Sequence, residues 1–101
     1  MVRSDVRTID ELGRIILPIV FRKALCVKGK GDKVNLQTVG SMVMLHAMPA
    51  RPDEGYQGIE IDELGRVLIP KELLEKMDWK KLDKIAIYNV SDDILALELD
   101  M

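Results

Sequence analysis

The chain has 101 residues, 48% apolar and 32% charged, with a formal net charge of −2. That length holds one hydrophobic core rather than two independent ones, and the composition excludes a disordered chain. No apolar run is long enough to span a bilayer, the start from Met1 to Asp5 does not read as a signal peptide, and the lone Cys26 forms no intrachain disulfide, so the expectation is a cytoplasmic protein without a membrane segment.

Residues 2–9 alternate loosely, with Val6 and Ile9 as apolar members around Arg7, and predict a first strand. Leu12-Gly13 marks a tight turn, because Gly takes positive φ without steric cost. Residues 15–17 are aliphatic and β-branched-rich, as expected of a short buried strand. Pro18 ends that strand and suits the first position of a helix running to about Leu25. Val20, Phe21, Ala24 and Leu25 are expected to face inward, with Arg22 and Lys23 outward. Cys26, flanked by apolar residues, reads as core rather than as a reactive thiol. The run Lys28-Gly-Lys-Gly-Asp32 has two glycines beside lysines but lacks the full phosphate-loop pattern, so it reads as a turn.

Residues 33–39 predict a third strand with Val34, Leu36 and Thr38 on one face. Gly40-Ser41 turns the chain into a fourth strand over 42–48. Met42, Met44 and Met48 lie on one of its faces and Val43, Leu45 and Ala47 on the other. A strand apolar on both sides calls for a partner beyond its own hairpin. His46 within it has no Cys or acid pair at ligand spacing, so a half-buried strand histidine is expected and no metal site.

Residues 49–58 are a polar connector rich in Pro and Gly. The plan then returns. Residues 61–70 read Ile-Asp-Glu-Leu-Gly-Arg-Val-Leu-Ile-Pro, against Ile-Asp-Glu-Leu-Gly-Arg-Ile-Ile-Leu-Pro at 9–18. A strand at 59–61, a turn, a strand at 67–69 and a helix from Pro70 to about Met77 follow, with Leu73, Leu74 and Met77 on its apolar side. Trp79 is expected to cap the core where the first repeat has Val27. Asp83 then matches Asp32, and strands are expected at 84–90 and 94–99 around a turn at 91–93. The domain reading is one pseudo-two-fold unit: repeat 1 at about 2–48, linker 49–58, repeat 2 at about 59–100. Two copies are too few for a solenoid and suit a pair in which each repeat buries its open face against the other.

Charge divides unevenly between the copies. Residues 1–50 carry eight bases against four acids, a net of +4, while residues 51–101 carry seven against thirteen, a net of −6. Asymmetry of this kind points to a polyanion-binding face on one side.

Each repeat resembles the swapped-hairpin DNA-binding domain of the AbrB/SpoVT transition-state regulators. The residues that carry the resemblance are the aliphatic-Asp-Glu-Leu-Gly-Arg-aliphatic-Pro core, the short helix after it and the hairpin that follows. The resemblance implies a mainly β fold: an AbrB-like swapped-hairpin β-barrel from two ββαββ repeats, with one short helix each. It also implies arginines gathered on a DNA-facing surface, and a bacterial or archaeal transcription factor or the DNA-binding part of an antitoxin. Repeat 1 keeps the basic set Arg7, Arg14, Arg22 and Lys23, whereas repeat 2 keeps Arg66 alone. Ile59 stands where Arg7 stood, and Leu74-Glu75 where Arg22-Lys23 stood; such side chains do not neutralise phosphate. As a fusion of two repeats the chain is more like the tandem arrangement of the MraZ proteins, though shorter.

The leading expectation is a DNA-binding transcriptional regulator contacting double-stranded DNA through the basic face of repeat 1, Arg7, Arg14, Arg22 and Lys23, together with Arg66 of repeat 2. The alternative is an antitoxin-like or protein-interaction module whose acidic repeat 2 holds a protein partner; the extended tail usual in antitoxins is not seen before Met101. No nucleophile–base pair, carboxylate dyad or metal cluster is evident, so neither an enzyme nor a cofactor is expected. One full arginine set per chain makes a homodimer or higher homo-oligomer the expected state, joined through apolar surplus on strands 42–48 and 94–99.

Overall fold

A computed structural model of the chain describes residues 2–24, 32–47, 56–91 and 94–100. Leu25, Cys26, Val27, the loop at 28–31, Met48, the connector over 49–55 and positions 92 and 93 lie outside the described residues. The fold is mainly β. The elements are β1 (Val2–Thr8), β2 (Arg14–Ile16), α1 (Ile19–Ala24), β3 (Lys33–Val39), β4 (Met42–Ala47), β5 (Tyr56–Glu60), β6 (Arg66–Leu68), α2 (Lys71–Met77), β7 (Lys84–Ser91) and β8 (Ile94–Leu99).

Six strands form one antiparallel sheet in the order β1-β7-β8-β4-β3-β5, and β2 with β6 forms a separate two-stranded ribbon. The pairings cross between the repeats at four places. β1 pairs with β7, β5 with β3, β4 with β8, and β2 with β6. The first strand of each repeat thus completes the hairpin of the other. The apolar β4 finds its neighbour in β8, which meets the demand that its sequence makes.

These registers define a pseudo-dyad. In the ribbon Ile15 faces Val67, with Arg14 opposite Leu68 and Ile16 opposite Arg66. In the sheet Met44 faces Ala96, with Val43 opposite Leu97 and Leu45 opposite Leu95. Exchanging the repeats maps each register onto itself, so one axis runs through both central pairs. Because side chains alternate across a strand, Val34, Leu36, Val43, Leu45, Ile85, Ile87, Leu95 and Leu97 share the inner face. All are buried and join Ile15, Val67, Phe21, Leu73 and Trp79 in one core cluster. The outer faces of ribbon and sheet therefore lie at opposite poles of the axis.

Some expectations are corrected. Val20, expected inside, is 64% exposed, as is its neighbour Ile19 at 63%. Phe21 is the buried anchor of α1, and at 100° per residue its predecessor swings outward. Residues 56–58, expected in the linker, belong to β5. Val34 faces Ile59 but Leu36 faces Tyr56, so β5 carries one extra residue there. Gly58, at φ +68°, makes that bulge possible, and its N–H donates to the Oδ1 of buried Asn35 at 3.1 Å. The strands β2 and β6 start and end one residue earlier than expected, at the arginine itself.

Candidate functional site

The two repeated turns are built alike, and an aspartate holds each. Oδ1 of Asp10 accepts the backbone N–H groups of Leu12 (3.0 Å) and Arg14 (2.8 Å), and Oδ2 accepts Arg14 Nε at 2.7 Å. Asp62 does the same for Leu64 (2.9 Å), Arg66 (2.9 Å) and Arg66 Nε (2.6 Å). Gly13 and Gly65, at φ +83° and +82°, close the turns with N–H bonds to the carbonyls of Asp10 and Asp62. Both carboxyls are held below the ordinary aspartate value. Burial acts to raise them, but the bonds from the backbone and side chain of Arg14 or Arg66, with that of Leu12 or Leu64, together outweigh it. Sequence reading placed the turn on Leu-Gly and missed Asp10 and Asp62 as its holders. The signal was there: an aspartate four residues before the arginine, written twice.

The aspartates aim the two arginines. Along each ribbon strand the central residue, Ile15 or Val67, points into the core, so its neighbours point away. The outer face of the ribbon therefore carries Arg14 and Ile16 on β2 and Arg66 and Leu68 on β6. Arg14 and Arg66 are diagonal neighbours on that face, with Cα atoms about 7–8 Å apart. Between them Ile16 and Leu68 are exposed. Each guanidinium is pinned through Nε, the atom nearest the stem, so its Nη groups lie at the far end of the side chain.

Antiparallel pairing decides which cations meet. β2 ends beside the start of β6, so α1 of repeat 1 begins at the Arg66 end, while α2 begins at the Arg14 end. The backbone bonds Leu17 N–H to Gly65 O and Ile69 N–H to Gly13 O, both 2.9 Å, fix these neighbours. Arg22 folds down over Gly65 and its Nε donates to the Leu17 carbonyl at 3.0 Å. It is half-buried rather than outward as expected. Lys23 is exposed on the same helix. Arg7 lies in the six-stranded sheet rather than the ribbon, ion-paired to Asp5 at 2.9 Å and bonded to the Val6 carbonyl. The structure thus brings Arg22 to the Arg66 end of the ribbon, with Lys23 exposed next to it on α1, and leaves Arg14 at the other end. The basic cluster is made by both repeats, not by repeat 1 alone.

His46 is half-buried on the outer sheet face, and its buried Nε2 has no hydrogen-bond partner among the described residues. Among those residues no group of three His, Cys, Asp or Glu side chains is placed to hold a metal ion. No described helix is long and apolar enough to cross a membrane. Comparison with protein-family models, with curated proteins and with solved structures finds no match to the chain.

Proposed function

We propose that this chain is a DNA-binding transcriptional regulator of the AbrB/SpoVT type, an intrachain version of the swapped-hairpin barrel. The observation that carries the reading is the outer face of the β2/β6 ribbon. Two aspartate-pinned arginines related by a pseudo-dyad flank two exposed aliphatics on a two-stranded ribbon. A ribbon of this width enters a major groove, where arginine forks suit guanine edges and phosphates and aliphatics suit thymine methyls. The exchange of first strands between repeats is the further support, because β1 pairs with β7 and β5 with β3, the crossing of hairpins that this reading expects.

The test is binding to random duplex of about 30 base pairs, followed by fluorescence anisotropy between about 50 and 200 mM salt. Affinity is expected to fall steeply with salt, and Arg14→Ala and Arg66→Ala each to cost about 1–3 kcal/mol on a selected site. No binding at the low-salt end would end the proposal.

A second reading keeps one specific observation. A groove beside β5 and β6 is lined by Ile59, Glu60, Asp62, Glu63, Leu68 and Pro70. Its mix of acid and aliphatic suits a basic, apolar segment of a protein partner. Binding of such a peptide by a protein that ignores DNA, weakening as salt rises, would favour this reading.

A further inference from the structure

The central face of the ribbon is symmetric, but its two ends are not. Under the pseudo-dyad Arg14 matches Arg66 and Ile16 matches Leu68. Beyond the Arg66 end stands α1, with Arg22 laid over Gly65 and Lys23 exposed. Beyond the Arg14 end stands α2, where Leu74 takes the place of Arg22, its Cδ1 lying 3.2 Å from where a Cβ on Gly13 would be, and Glu75 takes the place of Lys23. Glu72 in the first turn of α2 is exposed as well. Arg7, on the strand leading to the Arg14 turn, is matched in charge by Asp5.

Phosphate contact scales with cations that reach the backbone, and a carboxylate in the same place repels it. Beyond the ribbon one end of this surface therefore carries Arg22 and Lys23, while at the other the charge of Lys71 is offset by Glu72 and Glu75. We infer that the phosphate contact made by one chain is lopsided: the ribbon spans the centre of the site, and backbone contact extends past it on the Arg66–α1 side only. The inference rests on the DNA-binding reading above. Homodimers of single-repeat chains present two equal ends; here divergence of the two helices within one chain makes them unequal, so one flank of the bound duplex is held more tightly than the other.

The test uses the full chain and three charge variants on random duplex of about 30 base pairs. Lys23→Ala is expected to reduce the slope of log affinity against log salt by about one unit. Lys71→Ala, an exposed cation at the start of α2, is expected to leave it unchanged. Equal reductions from both variants, or no change from Lys23→Ala, would overturn the inference. Glu75→Lys, which puts a cation at the α2 end where Lys23 stands at the α1 end, is expected to steepen the slope by about one unit; no change would overturn the inference too. Failure of the wild type to bind any duplex is a different result, because it removes the DNA reading itself.

Discussion

Arg22 of one repeat lies on Gly65 of the other so closely that a Cβ added to the glycine would stand 2.7 Å from both Cζ and Nε of the guanidinium. The pseudo-dyad repeats the arrangement with Leu74 on Gly13. Each helix thus presses on the turn that its own repeat does not contain. The turn aims an arginine of the ribbon, so helix and ribbon are coupled across the repeats. At the Gly65 end the pressing side chain is a cation tied to the Leu17 carbonyl; at the Gly13 end it is an aliphatic packed against the core.

That difference separates two otherwise equal substitutions. Gly65→Ala and Gly13→Ala both force a left-handed conformation on a residue with a Cβ, at a cost of about 1–2 kcal/mol of stability each. Gly65→Ala must also push Arg22 aside, so it is expected to lose DNA affinity beyond any loss of folding. Gly13→Ala meets only Leu74 and is expected to leave affinity per folded molecule near that of wild type. Thermal melts paired with anisotropy titrations measure both, and equal affinity losses would contradict the coupling.

The aspartates carry a second prediction. Arg14 and Asp10 are both partly exposed, so their ion pair is screened and contributes little, while the two backbone N–H bonds to Oδ1 do most of the holding. Asp10→Asn keeps an acceptor and is expected to cost under about 1 kcal/mol; Asp10→Ala orphans both N–H groups and is expected to cost about 2 kcal/mol. Because both carboxyls are held low in the folded chain, their contribution is complete above the unfolded value of about 3.9 and is lost as pH falls through the lower folded value. Wild type should therefore converge on an Asp10→Asn/Asp62→Asn double variant as pH drops below about 4. Parallel acid limbs in denaturant titrations would count against this.

Much of this arrangement was legible in the residues. Alternation over 33–39 predicted β3, the repeat match predicted β8 at 94–99, and the duplicated ten-residue stretch announced the two turns. Two kinds of feature were not legible. Local composition hid the start of β5, where Gly58 reads as linker but serves a bulge against Asn35. The grouping of cations was hidden because it is non-local. Counting charge by repeat puts Arg22 with Arg14, whereas antiparallel pairing of β2 with β6 puts Arg22 with Arg66. The descent of Arg22 onto Gly65 follows from the same pairing and has no local signature.

Leu82 supplies a third prediction. It holds φ +72° and its side chain is 65% exposed, so it takes a left-handed cost with little packing in return. Its N–H still donates to the Ile9 carbonyl at 2.8 Å, which keeps the chain in that conformation. The matching position of repeat 1 is Gly31. Leu82→Gly removes about 1–2 kcal/mol of strain and gives back roughly half as unfolded-chain entropy. A gain of up to about 1 kcal/mol is expected, seen as a melting temperature higher by roughly 4–8 °C. A drop in melting temperature would show that Leu82 packs where its exposure says it does not.

The last prediction concerns a second copy of the chain. The outer face of the six-stranded sheet carries half-buried Met42, Met44, Tyr88 and Ile94 around the buried Ala96, and the described helices pack on the inner side. His46 and Glu98 occupy matching places on either side of the pseudo-dyad, so a second copy turned over about an axis that crosses the line between them sets each His46 against a Glu98 of the other. Such a homodimer is back to back. This face and the ribbon lie at opposite poles of the axis, so the two ribbons point apart and are expected to engage two duplexes rather than two half-sites of one. Light scattering at micromolar concentration is expected to give twice the chain mass, and immobilised duplex to retain a second, labelled duplex through the protein. Met44→Lys places a charge at the centre of the contact and is expected to halve the mass, to abolish retention of the second duplex and to leave binding to a single duplex intact. A wild type that stays monomeric, or a dimer that Met44→Lys does not disturb, would place the contact elsewhere or nowhere.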